Sequence, residues 1–209
     1  MTINFYNYSC FKVQSGDFII AFDPPSKESG LKTPRFQTDV ILISHNHKAH
    51  NGADVLSLKE ENPHFIINTP GEYEIKGAII KGIESFHDAK EGSERGLNTI
   101  FTVDLEDIKM GFFGHISEEL SPECLEIFSD ADIVFLPAGG KPFIEIPAAA
   151  KLIRQLKPGL IVPTLFDDPK DLKSFLKEFG KNEAEPQEKL TIGKKELSKE
   201  KLLIGCLKT

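Results

Sequence analysis

Apolar positions in the first half of the chain come in short runs broken by turn-forming residues, a pattern that predicts strands rather than long helices. INFYNYSCFKVQ reads as one strand, Ser15, Gly16 and Asp17 as a turn, and FIIAF as the returning arm of a hairpin. DPPSKESGLKTP follows as a loop, because paired prolines and a nearby glycine sustain neither a helix nor a central strand. The continuous apolar run from Asp39 to Ile43 predicts a strand buried on both faces and ending directly at SHNHKAHN. Residues 53 to 60 predict a brief helix, HFIIN a strand, TPGEYEIKG a turn, and Ala78 to Ile83 another strand ahead of a polar loop from Glu84 to Asn98. TIFTVDL and IKMGFF form a second hairpin around Asp107.

The second half changes period. Ser121 and Pro122 suit the cap and first position of a helix, DIVFLPA a strand, IPAAAKLIRQL a helix, LIVPTLF a strand and DPKDLKSFLKEF a helix. The last stretch, KLTIGKKELSKEKLLIGCLKT, resembles two short strands joined by a charged turn. Antiparallel hairpins followed by β-α-β alternation suit two packed mixed sheets covered by helices better than one continuous parallel sheet.

Composition narrows the function classes. With 209 residues, 40% of them hydrophobic, the chain reads as one domain spanning residues 1–209 that folds without disulfides. Its formal charge of -7 disfavours a broad nucleic-acid surface, and the lysines at 189, 194, 195, 199 and 201 read as a solvated face. No basic segment with an apolar stretch opens the chain, and no run is long enough to span a membrane, so a cytoplasmic location without membrane contact is expected. Cys10, Cys124 and Cys206 are odd in number and widely spaced, which suits buried reduced thiols.

Candidate chemistry centres on His45, His47 and His50, three imidazoles immediately beyond the buried strand. From the residues alone they are metal ligands, hydrogen-bonded loop histidines or a pH-sensitive surface. His87 and His115 also follow strands, and ligands from separate strands can meet at one sheet edge. His64 lies at a strand start, on the opposite end, and is left out.

SHNHKAHN resembles the His-x-His-x-Asp-His motif of the metallo-β-lactamase superfamily. TPGEYEIKG, FHD, RGLNTIFTV, FFGH, VFLPAGG and LIVPT resemble, in the same order, its small prokaryotic branch of zinc-dependent hydrolases. The resemblance implies an α/β fold, a four-layer αββα metallo-β-lactamase-like sandwich of two mixed sheets. It implies one metal site from His45, His47 and His87. A second site would need the motif aspartate, where this chain has Ala49, together with His50 and a late histidine, where it has Leu165. The bridging aspartate of the family corresponds to His115. Alanine and leucine offer no ligand atom, so the resemblance implies at most one zinc ion.

As a replacement base, Asp88, Asp167 and Asp168 are available but suit turns or helix caps better; Glu72 suits pocket organisation. Two functions follow. One is a degenerate member that retains metal or small-ligand binding with little hydrolysis. The other is a mononuclear zinc-dependent hydrolase that uses metal-activated water on a carbonyl or phosphoryl substrate. A small-molecule substrate or ligand is the expected partner in both, and a homo-oligomer is left open.

Overall fold

In the computed structural model, residues 1–59, 65–166 and 168–208 are described. The chain opens with a three-stranded meander of β1 (Thr2–Asn7), β2 (Cys10–Ser15) and β3 (Phe18–Phe22). INFYNYSCFKVQ is therefore two strands. Tyr8 adopts φ 44°, and the chain reverses there, so that Asn7 pairs with Cys10. β4 (Gln37–Thr38) and β5 (Val40–Leu42) come next. The brief helix expected over 53 to 60 is only a 3-10 turn, Ala53–Val55, after which β6 (Ser57–Leu58) pairs with β4; residue 60 lies outside the described residues. One turn without a side-chain cap is too short to hold an α-helix against that pairing.

β7 (Ile66–Ile67) is the core of HFIIN, whose His64 lies outside the described residues. GEYEI, expected within a turn, is β8 (Gly71–Ile75), and β9 (Ala78–Phe86) pairs with it antiparallel. Only Lys76 and Gly77, both at positive φ, make the reversal. β10 (Leu97–Leu105) and β11 (Ile108–Phe112) form the expected hairpin. Then α1 (Pro122–Phe128), β12 (Ile133–Pro137), α2 (Ile146–Leu156), β13 (Leu160–Thr164) and α3 (Pro169–Lys177) alternate as the sequence predicts. Ser121 Oγ accepts from the Cys124 N–H and Asp168 Oδ1 from the Lys170 N–H, which caps α1 and α3.

The last strands, β14 (Lys189–Thr191) and β15 (Leu203–Ile204), are not a hairpin. β14 is the edge of a six-stranded sheet ordered β14-β1-β2-β3-β5-β7, and β15 the edge of a seven-stranded sheet ordered β15-β13-β12-β11-β10-β9-β8. The two mixed sheets pack face to face through Phe11, Ile20, Phe22 and Leu42 against Val103, Met110, Phe112 and Phe135. On the outer face of the seven-stranded sheet, Val134, Leu136 and Ile161 pack on Phe128, Leu152, Leu156 and Phe175 of the three helices. On the outer face of the six-stranded sheet, Ala21, Ile41 and Ile43 are covered by Phe36, Val55, Leu56 and Leu58. This is the expected four-layer α/β sandwich, with one thin outer layer. No helix among the described residues is long and apolar enough to cross a membrane.

Asp39 ties the layers together. Its carboxylate accepts from Ile19 N–H at 2.8 Å and meets Lys59 at 2.7 Å and Lys76, from the other sheet, at 2.9 Å. Burial alone would raise its pKa, but the bonds from Lys59, Lys76 and Ile19 outweigh it and hold the carboxyl below its ordinary value. A depressed folded pKa contributes stability that is present above the unfolded value, near pH 4, and is lost as pH falls through the folded one. Asp39→Asn should therefore lower stability at neutral pH by about 1–3 kcal/mol and flatten the acid limb. Urea denaturation between pH 3 and 7 checks this, and parallel curves for the two proteins would contradict it.

Candidate metal centre

Strand ends build the site. Asp23 directly follows β3, His45 lies beyond β5, His87 directly follows β9, and His115 lies three residues after Phe112, the end of β11. Sheet pairing places these ends at one rim of the sandwich. The five sequence candidates are brought together there. His115 has ring centroids 4.1 Å from His50, 5.1 Å from His87 and 5.2 Å from His45; His45 lies 4.6 Å from His87 and 6.3 Å from His47.

The tightest convergence includes a residue that the sequence reading missed. One ligand atom each from Asp23, His50 and His115 lie within 4.8 Å of one another, and all three side chains are buried. Asp23 is in the left-handed region at φ 42° and accepts from both the N–H and the hydroxyl of Ser44 at 2.7 Å. Burial, only partly offset by these bonds, raises its pKa to about 7. The available signal was its position at the end of the apolar run FIIAF, the same placement that singled out the histidines.

Hydrogen bonds orient the rings. The His115 N–H donates to Asn98 Oδ1 at 2.8 Å, and Asn98 Nδ2 donates to Ser85 Oγ and Phe113 O. His115 Nδ1 lies 3.2 Å from Ser44 Oγ and 3.9 Å from Asp23, while the Thr99 N–H donates across the sheets to Ser44 O. Ser9, in the tight turn between β1 and β2, places its Oγ 3.0 Å from His50 Nδ1. His45 Nδ1 lies 3.0 Å from Leu97 O; a carbonyl only accepts, so Nδ1 carries the proton and Nε2 the lone pair. His47 is reversed: its Nδ1 accepts from the Ala49 N–H, which leaves the proton of the neutral ring on Nε2.

Burial first, and neighbouring imidazoles second, depress the histidines: His50 to about 3, His87 to about 4, and His45 and His115 also downward. Neutral imidazole is the form that ligates a metal. The buried His87 Nδ1 and His115 Nε2 have no hydrogen-bond partner among the described residues. A buried polar atom left unpaired costs about 1–3 kcal/mol, so these nitrogens fit coordination of an ion.

The remaining candidates fall elsewhere. Glu72 does not organise the pocket; it is exposed and pairs with Lys81 at 2.9 Å. Asp168 caps α3, and Asp167 lies outside the described residues. Asp88 accepts from the N–H groups of Lys90, Gly92, Glu94 and Arg95, which folds the loop between β9 and β10 around one carboxylate. Asp88→Ala should cost about 1–2 kcal/mol and speed proteolytic nicking within residues 88–96. Unchanged melting and nicking would refute that role. Cys10 and Cys206 are buried thiols, and Cys124 is partly exposed.

Beside the cluster, His45 forms one wall of a cleft of about 580 Å³, also lined by Asn46, Asn51, Asn68, Glu84 and Arg95. Leu165, where the resemblance places a late ligand, is buried and donates its N–H to Tyr8 O.

Residues 2–165 match the family model described as β-lactamase superfamily domain. A UPF0173 metal-dependent hydrolase of Natranaerobius thermophilus is 25% identical over 202 residues, covering 85% of this chain and 90% of that protein. One from Thermococcus onnurineus is 23% identical over 205 residues, covering 83% and 91%. In structure, a Thermotoga maritima protein assigned as a Zn-dependent hydrolase of the metallo-β-lactamase superfamily superposes with a TM-score of 0.77 at 22% identity, over 99% of each chain. Such an identity speaks to fold alone. With the family model covering most of the chain and the same two-sheet architecture, this protein belongs to the metallo-β-lactamase superfamily.

Proposed function

We propose that this chain holds one zinc ion in the histidine cluster, binds a small molecule in the adjoining cleft and has little hydrolytic activity. The convergence of Asp23, His50 and His115 within 4.8 Å carries the reading, because two imidazoles and a carboxylate are a donor set that zinc favours. Asp23 supplies from another strand the carboxylate that Ala49 lacks. His45 and His87 stand beside this trio as further donors, and His47, whose Nδ1 accepts from the Ala49 N–H, packs its ring next to His45 and His50. When bound, such an ion supplies a Lewis acid and lowers the pKa of water. Weak hydrolysis is supported by the burial of the trio and by the engagement of Asp88, Asp168 and Glu72 in other contacts.

One observation favours the hydrolase reading instead. Glu84 lines the same cleft as His45, so a carboxylate stands where a base would meet a substrate.

Elemental analysis of protein purified with zinc and dialysed should find about one ion per chain, and the His50→Ala/His115→Ala variant should retain almost none. Full retention by that variant would overturn the site. Zinc-loaded protein should turn over p-nitrophenyl acetate and bis(p-nitrophenyl) phosphate little faster than buffer containing zinc. Strong turnover that Glu84→Gln removes would establish the hydrolase reading.

A further inference from the structure

A second large cavity, of about 660 Å³, shares no lining residue with the histidine cluster or its cleft. It lies between the end of β1 and the loop ahead of β4. Its apolar wall consists of Phe5, Tyr6, Leu31 and Pro34, and its charged lining residues are Lys32 and Arg35. Both cations are exposed, and neither side chain has a hydrogen-bond or ion-pair partner among the described residues. No acidic residue lines the cavity.

The wall is braced from behind. The Tyr6 ring stacks on Phe36 with centroids 5.4 Å apart, and the Lys12 ammonium sits 5.5 Å over the Phe36 ring. Asn7 Nδ2 donates to Lys32 O at 3.1 Å, which ties the loop to the strand. The result is an aromatic surface beside two unpaired positive charges, in a chain of net charge -7. That overall charge repels a long polyanion, whereas a small ligand with one charged group meets only the local field. The cavity volume is in the range of sites for molecules of nucleotide size.

The geometry points to a binding site for a small aromatic anion, with its planar ring against Tyr6 and Pro34 and its phosphate or carboxylate group on Lys32 and Arg35. Guanidinium and ammonium together give the charge-assisted bonds that discriminate the anion from its neutral parent ring.

Isothermal titration of the full chain in EDTA, which removes the histidine cluster from the reading, tests this with AMP, adenosine, inorganic phosphate and 2-naphthoate. AMP, 2-naphthoate or both should bind with Kd below about 1 mM, and adenosine and phosphate alone at least about tenfold more weakly. Binding of AMP alone assigns a phosphate group, and of 2-naphthoate alone a carboxylate. Lys32→Gln/Arg35→Gln, at two exposed positions, should melt as the parent does and lose about tenfold or more in affinity. Equal binding of adenosine and AMP, undiminished binding by the double variant, or no binding of either anion overturns the site. None of these outcomes bears on zinc content.

Discussion

Asp23→Asn should leave the metal-free protein folded and reduce its zinc affinity by on the order of 100-fold. The amide oxygen still accepts from the Ser44 N–H, and Nδ2, in place of the second carboxylate oxygen, donates to Ser44 Oγ once that hydroxyl turns its own hydrogen away, so the end of β3 stays tied to Ser44. What disappears is a negative charge at a fully buried position, whose ionised form is costly until a cation neutralises it. Metal-free stability should thus be preserved or slightly raised while affinity collapses. Competition against a zinc-sensitive dye, with thermal melts of both metal-free proteins, separates the two effects. If Asn binds zinc within about tenfold of the parent, the carboxylate is a neighbour of the ion rather than a ligand.

Gly114→Ala should destabilise the protein by about 3 kcal/mol or more. Gly114 sits at φ +52°, where an L side chain already costs about 1 kcal/mol. Space is the greater obstacle: an added Cβ would lie 2.5 Å from Ser44 Cβ and 2.6 Å from Asn98 Oδ1. Those two residues position His115 through its ring and its N–H, and Ser44 also anchors Asp23. The clash cannot relax without moving the candidate ligands, so zinc should be lost along with stability. Chemical denaturation and elemental analysis read the two consequences, and a variant with parental values for both would show that the rim is more pliable than its packing indicates.

Where pairing is local, the sequence is a good guide. The β10–β11 hairpin follows from alternation around Asp107, and α1 and α3 from Ser121 and Asp168 at their caps. Geometry that depends on distant partners leaves no such local mark. Nothing in Tyr8 signals a left-handed reversal, since tyrosine rarely adopts one, and GEYEI was obscured by the turn-forming Thr69-Pro70-Gly71 despite its alternating pattern. The histidines could be read as a group because each follows an apolar strand. Asp23 follows one too, but Pro24 and Pro25 disguised it as the start of a loop. Its partnership with His50 and His115 depends on sheet order, which no spacing along the chain reveals.

The closing strands have a consequence for biosynthesis. A chain emerging from the ribosome amino end first would present β1 and β13 as bare ribbon edges, open to pairing with neighbouring nascent chains, until residues 189–204 arrive to cover both. The segment between the two late strands, dense in charge from Lys194, Lys195, Glu196, Lys199, Glu200 and Lys201, would then act as a gatekeeper, since its strong hydration opposes association before each strand finds its sheet.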